Sequence, residues 1–266
     1  FFDARLSGTG QMACASCHDA DLGFADGRTT SFGHGARPLR RNAPSVLNAA
    51  YQKELFWDGR ASSLEDQALA VFTNPDEMHG SAGAIVATLA RSKAYRQRFA
   101  LAFGNSEPTI ENVLAALAAF ERTIVSDGSS AFDRFLGGDK AALGAAALRG
   151  LHLFRTKARC ANCHHGPSFS DGRYHDLGLS YYGRALEDLG RYRVTKDPAD
   201  SGRFRTPGLR NVARTAPYMH NGLFDLRGVV DMYSAGMATL RPKAGQEQDP
   251  LFPKKDPLLQ KLELRP

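Results

Sequence analysis

Cys14-Ala15-Ser16-Cys17-His18 and Cys160-Ala161-Asn162-Cys163-His164 are two copies of one pattern, C-x-x-C-H, and together they use all four cysteines of the chain. In each copy the two thiols can add to the vinyl groups of a porphyrin, and the adjacent histidine can then ligate the iron. A zinc half-site, a redox C-x-x-C or a disulfide would leave both histidines without a role. The sequence therefore predicts two covalently bound haem c groups, with His18 and His164 as iron ligands.

Composition and charge describe an ordinary globular protein. Hydrophobic residues make up 42% of the 266 residues and charged residues 23%, and no run of about 18 apolar residues predicts a membrane span. Because haem is attached covalently outside the cytoplasm, we expect a periplasmic location and an export segment that was removed or left out. The net charge is +6, but Lys and Arg are scattered and no nucleic-acid motif is present. A solvated basic surface is the favoured interpretation, and any docking face would suit an acidic partner.

Helical patterns dominate, and strand signals are scarce. The run Ser62–Glu65 resembles a capping box that opens a helix through Phe72. Apolar residues from Ile110 to Ile124 recur at helical spacing, and Asp139 is a candidate N-cap for a helix that leads to the second motif. The sequence predicts an all-α fold of two cytochrome-c-like domains, each enclosing one haem. We place the boundary at Gly137, which gives residues 1–137 and 138–266.

Further motifs occur in the order of a known family. Phe56-Trp57-Asp58-Gly59-Arg60-Ala61, Ser63-Leu64-Glu65-Asp66-Gln67 and Asn74-Pro75-Asp76-Glu77-Met78 resemble the first domain of bacterial di-haem cytochrome c peroxidases and the related MauG enzymes. The runs Arg205–Val212 and Thr215–Gly222 resemble their second domain. The resemblance covers nearly the whole chain. It implies an oxidoreductase that reacts with hydrogen peroxide at an open, high-spin first haem, while the second haem is low-spin.

The resemblance implies a proton-transfer role for Glu77, in a loop over the first haem. A carboxylate there can take a proton from bound peroxide and return it to the departing oxygen, and Gln67 would hydrogen-bond the oxidant. Spacing alone would favour a solvent-facing Glu77 in a turn. The family match reverses that preference.

Trp57, the single tryptophan, matches a residue that lies between the two haems in this family and relays electrons. A lone tryptophan is also an ordinary packing anchor, and the two roles are compatible. Asn42, Thr215 and Pro217 match positions whose oxygens hold a calcium ion, a ligand type that suits a hard cation. Calcium is predicted from the resemblance alone.

The sixth ligand of the second haem separates the branches of the family. Peroxidases have a methionine where this chain has Tyr233, and MauG-like enzymes have tyrosine. A shifted alignment would place Met232 or Met237 there instead. A phenolate favours oxidised iron, whereas a thioether favours reduced iron. His34 matches a loop histidine that closes the first haem in resting peroxidases, and an exposed loop histidine is the alternative.

The favoured function is that of a MauG-like oxidase. Peroxide would generate a high-valent state of the two haems, shared through Trp57, that oxidises a Trp or Tyr side chain of a periplasmic partner protein. Known relatives build a tryptophan-derived quinone or, in the MbnH type, convert a tryptophan to kynurenine. Ala158 replaces the surface tryptophan of the quinone-forming enzyme and favours the second kind. The alternatives are a peroxidase that takes electrons from a small cytochrome or cupredoxin, and a non-enzymatic electron carrier, against which Glu77 argues.

Overall fold

The computed structural model, which describes residues 1–262 and 264, is built from helices with very little sheet. The α-helices are α1 (Leu64–Thr73), α2 (Ala82–Ala90), α3 (Lys93–Phe103), α4 (Ile110–Glu121), α5 (Ala131–Leu136), α6 (Ala145–Arg155), α7 (Tyr192–Thr195) and α8 (Leu226–Ser234). Short 3-10 helices cover Ala4–Leu6, Cys14–Ser16, Ala20–Leu22, His34–Ala36, Ala49–Tyr51, Cys160–Asn162, Pro198–Asp200 and Val212–Arg214. Two short strands, β1 (Tyr174–His175) and β2 (Phe204–Arg205), pair antiparallel. The predicted predominance of helix is confirmed.

The helix caps agree with the sequence in part. Ser63 caps α1 by accepting a hydrogen bond from the Asp66 backbone, so the cap lies one residue later than the predicted Ser62–Glu65 box. The predicted cap at Asp139 is wrong. Asp139 accepts a hydrogen bond from the Ala141 backbone within a turn, and Gly144 is the N-cap of α6. An acidic residue followed by a turn has the same local chemistry as a helix cap, and the sequence pattern does not distinguish the two.

Backbone contacts divide the chain into two units. Unit 1 contains Phe1–Phe56, Ala61–Val125 and Ala213–Leu223; unit 2 contains Trp57–Arg60, Ser126–Val212 and the chain from Phe224 onward. The segment 126–137, which we placed in the first domain, groups with unit 2. There the Asp133 carboxylate of α5 pairs with the Arg210 guanidinium at 2.9 Å, and Phe132 packs against Phe169.

Two short segments also belong to a different unit from the one expected from their position in the sequence. Residues 213–223 group with unit 1, where the Asn42 amide donates to the His220 carbonyl at 2.8 Å. In the same unit, a Cβ on Gly222 would lie 2.1 Å from the Thr29 carbonyl oxygen, which only glycine allows. Residues 57–60 group with unit 2. These exchanges depend on tertiary contacts, and a linear domain boundary cannot represent them.

Unit 1 is organised around apolar side chains. Phe72 of α1 and Ile85 and Leu89 of α2 are almost fully buried, and they pack with Leu114 and Leu117 of α4 in one cluster. A second cluster is formed by Val46, Ala49, Leu55, Ala61, Leu64, Ala118 and Ile124. Ile124 follows the end of α4 but belongs to this core, so its predicted apolar role holds although the helix stops at Glu121.

Unit 2 has a different interior. Among the described residues, the apolar side chains that it buries are Leu179, Phe204, Met237 and Pro253. Its buried polar or charged side chains include Asp176, Ser180, Asp188 and Arg205. Across the described part of the chain, no helix is both long and apolar enough to cross a bilayer.

Candidate functional site

The first C-x-x-C-H motif forms a compact turn that presents its histidine ring. Cys14–Ser16 is a 3-10 helix, and the Cys17 and His18 amides both donate to the Cys14 carbonyl. His18 Nδ1 lies 3.1 Å from the Phe24 carbonyl oxygen. Because a carbonyl can only accept, Nδ1 carries the ring proton and Nε2 keeps its lone pair. Burial lowers the pKa of His18, which favours the neutral imidazole that a metal requires.

The second motif repeats this arrangement in unit 2. Cys160–Asn162 is a 3-10 helix, and the Cys163 and His164 amides donate to the Cys160 carbonyl. His164 Nδ1 lies 2.9 Å from the Phe169 carbonyl oxygen, and burial lowers the pKa of His164. A backbone carbonyl on one ring nitrogen fixes the other for a metal. The same device at both motifs fits two haem irons.

Burial favours the protonated form of three of the four thiols. Burial raises the pKa of Cys14 to about 11 and also raises the pKa values of Cys17 and Cys160. A reactive C-x-x-C pair or a zinc thiolate needs a lowered thiol pKa. All four cysteines are free of disulfide bonds. The donor set of two thiols and one neutral imidazole in each motif therefore fits a c-type haem.

Glu77 lies close to the first motif. Burial raises the pKa of Cys17 most, and the charges of Asp26 and Glu77 add to the increase, so the Glu77 carboxylate is within electrostatic range of this thiol. Its oxygen Oε2 is fully buried. The loop is held from both sides, because the Glu77 amide donates to the Asn74 carbonyl at 3.1 Å and the Glu77 carbonyl accepts from the His34 amide at 2.9 Å. The side chain as a whole is half-buried, and its role in proton transfer stays a prediction.

Gln67 and His34 are two further residues with predicted roles. Gln67 lies in α1, half-buried. His34 is half-buried, and its ring stacks on that of His79, with centroids 4.0 Å apart and planes 8° from parallel. The His79 Nδ1 lies 3.1 Å from the Pro75 carbonyl oxygen. The stacked pair flanks the Glu77 loop, which the sequence did not indicate.

Tyr233 lies on α8 within unit 2. Burial raises the pKa of Tyr233 well above its ordinary value, and the Cys163 and Cys160 thiols raise it further. The phenol is therefore close to both cysteines of the second motif. Met237, one of the two alternative ligands, is also buried, and its amide donates to the Met232 carbonyl at 2.8 Å.

Trp57 and the predicted calcium residues are placed as follows. The Trp57 carbonyl accepts from the Arg205 amide at 2.8 Å within unit 2. Asn42, Thr215 and Pro217 all belong to unit 1, and the Asn42 side-chain nitrogen donates to the Arg28 carbonyl at 2.9 Å. An amide and two further oxygens suit calcium, which stays a prediction.

A charged cluster beside the second motif was missed from the sequence. His175 Nδ1 lies 2.6 Å from Asp256 and His175 Nε2 lies 2.9 Å from Asp171, and Cys163 lies near these groups. Hydrogen bonds to Cys163, Asp256 and Asp171 raise the pKa of His175 to about 10, against the effect of burial. Asp256 is 81 residues from His175, so no local spacing could have related the two.

Comparison with known proteins identifies the class of protein. Residues 1–141 match the family of di-haem cytochrome c peroxidases. The methylamine utilization protein MauG of Methylorubrum extorquens is 44% identical over 254 residues, which cover 94% of this chain and 70% of that protein. The cytochrome c551 peroxidase of Nitrosomonas europaea is 42% identical over 226 residues, 84% of this chain and 66% of that protein.

Solved structures give the same result. A MauG-like protein associated with microbial copper homeostasis superposes with a TM-score of 0.87 at 34% identity, covering 100% of this chain and 82% of that one. The diheme peroxidase BthA of Burkholderia thailandensis has a TM-score of 0.76 at 29% identity, covering 88% and 69%. The chain belongs to the di-haem cytochrome c peroxidase and MauG family. It is a haem-dependent oxidoreductase, and the family expected from its motifs is confirmed.

Proposed function

We propose that this protein is a MauG-like oxidase that uses hydrogen peroxide to oxidise a Trp or Tyr side chain of a partner protein. The observation that carries the proposal is the position of Tyr233, half-buried on α8 and close to Cys160 and Cys163 of the second motif. A phenol in that place would hold the second iron together with His164. An anionic ligand stabilises oxidised iron, which suits a haem that stores an oxidising equivalent.

The two haems, covalently bound at the two motifs, supply the iron that binds peroxide and holds oxidising equivalents. With peroxide bound, the Glu77 carboxylate would accept a proton from one peroxide oxygen and return it to the other, which would leave as water. Gln67 orients the oxidant by a hydrogen bond. Hydrogen peroxide takes up two electrons and two protons in all and becomes two waters. Both electrons come from the partner's side chain, and Trp57 passes them on toward the first haem.

Charge supports an acidic partner that docks on unit 2. Over the described residues, unit 1 carries 12 Lys and Arg against 12 Asp and Glu, whereas unit 2 carries 21 against 15. Between residues 140 and 170, around the second motif, there are five Lys and Arg and no acidic residue. A one-signed surface of this kind attracts an oppositely charged protein. We place the enzyme in the periplasm, with a calcium ion at Asn42, Thr215 and Pro217.

A second candidate is a peroxidase that removes hydrogen peroxide with electrons from a small donor protein. The burial of Met237, four residues after Tyr233, favours it, because a thioether in that position would ligate the second iron instead. The cytochrome c551 peroxidase relative is consistent with this alternative.

Stopped-flow spectroscopy of the fully oxidised protein with one equivalent of peroxide separates the two. An oxidase with a phenolate ligand reacts at once and both haem spectra change, without prior reduction. If the oxidised protein stays inert, and only the half-reduced form turns over with a cytochrome donor, the peroxidase is the correct function.

A further inference from the structure

Three consecutive backbone carbonyl groups, beginning with that of Trp57, accept hydrogen bonds from other parts of unit 2. The Arg205 amide donates to the Trp57 carbonyl at 2.8 Å. The Nη1 atom of Arg191 donates to the Asp58 carbonyl at 2.9 Å and to the Gly59 carbonyl at 2.8 Å. Hydrogen bonds from a charged donor are about twice as strong as neutral ones. Hydrogen bonds to three consecutive carbonyl groups are more than a short turn needs in order to form.

Tyr174 contacts both Arg191 and the turn at Gly59. The Arg191 guanidinium lies over the Tyr174 ring, with Cζ 4.4 Å from the centroid, and its Nη1 donates to the Tyr174 hydroxyl at 3.2 Å. Gly59 has φ +68°, and a Cβ there would lie 1.6 Å from the Tyr174 hydroxyl oxygen. The turn therefore packs directly on the aromatic ring and the cation, which explains why glycine follows Asp58.

The residues that hold the turn lie on or beside the two-stranded sheet of unit 2. Tyr174 of β1 and Arg205 of β2 are directly paired in the antiparallel register. The Arg191 amide donates to the Arg203 carbonyl at 2.8 Å, beside a parallel bridge from Gly190 to Arg203. We call Tyr174, Arg191 and Arg205 the Trp57 cradle.

The conformation of the turn needs such support. Phe56 and Gly59 both have left-handed backbone conformations, with φ of +66° and +68°. A phenylalanine in that region is strained by about 1–3 kcal/mol, and it persists only where its surroundings fix it. The Asp58 carboxylate is 4% exposed and pairs with Arg60 at 3.0 Å.

We propose that the Trp57 cradle positions Trp57 for electron transfer, with Arg191 and Tyr174 as positioning residues. The proposal rests on the relay function proposed above for Trp57. Each transfer moves one electron through Trp57 from the second haem toward the first and leaves the indole unchanged. The rate of such a step depends on a fixed position, since a displacement of about 1 Å can cost up to about a hundredfold.

The test uses the holoprotein with 5-fluorotryptophan in place of its single tryptophan. Fluorine NMR then gives one resonance, whose position near the paramagnetic irons reports where the indole lies. The variants are Arg191→Gln, Arg191→Lys and Tyr174→Phe, and the matched control is Arg193→Gln. Arg193 lies two residues away on α7, is exposed and carries the same charge, with Asp188 as its partner at 3.4 Å.

We expect Arg191→Gln to shift or broaden the resonance and to slow the sharing of oxidation between the haems by at least about tenfold. The initial reaction of the first haem with peroxide should keep its rate. Arg191→Lys keeps the charge but lacks the planar guanidinium that lies over the Tyr174 ring, so its effect should be intermediate, while Arg193→Gln should resemble the wild type. Tyr174→Phe, which removes one hydroxyl, should shift the resonance less than Arg191→Gln.

Two outcomes overturn the proposal. One is an unchanged fluorine resonance and an unchanged sharing rate in Arg191→Gln. The other is an equal effect of Arg193→Gln, which would indicate charge and not position. If Arg191→Gln does not assemble with two haems, the same two measurements on Arg191→Lys and Tyr174→Phe test the proposal instead. The Trp57→Phe variant tests separately whether Trp57 is a relay at all. If Trp57 is not a relay, Trp57→Phe leaves the rate of sharing between the haems unchanged, whatever fluorine resonance Arg191→Gln gives.

Discussion

Unit 1 and unit 2 carry the same haem-binding motif, but they are stabilised in different ways. In unit 1, helices α1, α2 and α4 bury a continuous set of apolar side chains around Phe72, Ile85 and Leu89. In unit 2, the described residues bury Leu179, Phe204, Met237 and Pro253 as their apolar set, and α6 buries no residue fully. Asp176 and Ser180 are among the polar side chains that unit 2 buries.

The difference indicates what each unit gains from its cofactor. We therefore expect the apolar contacts among its helices to keep much of the structure of unit 1. The described part of unit 2 buries fewer apolar side chains, and hydrogen bonds such as those of His175 with Asp171 and Asp256 contribute to its order. A haem adds a large apolar surface at the centre of the unit that holds it, so binding and folding are coupled more tightly in unit 2.

The largest expected effect follows from this coupling. In Cys160→Ala/Cys163→Ala, which removes the second attachment site, we expect unit 2 to lose protection from hydrogen exchange while α1, α2 and α4 keep theirs. Cys14→Ala/Cys17→Ala is the matched control and should leave much of the helical core of unit 1 protected. Equal loss in both variants, or a protected unit 2 in the first, would contradict the difference between the units.

The second prediction concerns α8, which presents Tyr233 in unit 2. Tyr233→Phe removes the phenolate, so we expect the low-spin signal of the second haem to disappear from the electron paramagnetic resonance spectrum of the oxidised protein. The high-spin signal of the first haem should be unchanged. Met232→Leu and Met237→Leu are the controls, and a low-spin signal lost with either of them but kept in Tyr233→Phe would assign the ligand to methionine.

The third prediction tests the chemistry assigned to unit 1. Glu77→Gln keeps the shape of the side chain but cannot transfer a proton, so we expect the reaction with peroxide to slow by about a hundredfold or more. Asp76→Asn is the matched control, because it neutralises the exposed neighbouring carboxylate and should change the rate little. Stopped-flow absorption of the first haem measures both. An equal effect of the two changes would place the proton transfer elsewhere.

Much of the fold and site was predictable from sequence, because the signals are local. The two C-x-x-C-H motifs, the apolar periodicity of α4 and the Asn74–Met78 run each lie within a few residues. Contacts between distant residues were not predictable. Three features join residues that are 50 or more positions apart in the sequence. They are the grouping of 57–60 with unit 2, the His175–Asp256 contact and the contact of Arg191 with Asp58 and Gly59. The cap at Asp139 failed because its local chemistry also fits a turn.

The smallest expected effect concerns the pH dependence of stability in the two units. Glu121 of unit 1 is 5% exposed, and burial raises its pKa from 4.5 to about 7; burial also raises the pKa of Asp176 in unit 2 from 3.8 to about 6. Each native carboxyl keeps a proton in a range where the unfolded chain has lost it. Unfolding releases protons there, so stability falls as pH rises from about 4.5 to 7 in unit 1 and from about 3.8 to 6 in unit 2.

Glu121→Gln removes the first of these titrations. Since one pKa unit corresponds to about 1.4 kcal/mol, we expect it to stabilise unit 1 by about 1–3 kcal/mol at pH 8 and by almost nothing at pH 4. Asp176→Asn should remove the fall in unit 2 below about pH 6 and leave unit 1 unchanged. Hydrogen exchange of each unit between pH 4 and 8 measures both effects. If Glu121→Gln increased the stability of unit 1 equally at pH 4 and pH 8, the increase would come from packing. A titrating carboxyl changes the free energy of unfolding only above its pKa in the unfolded chain.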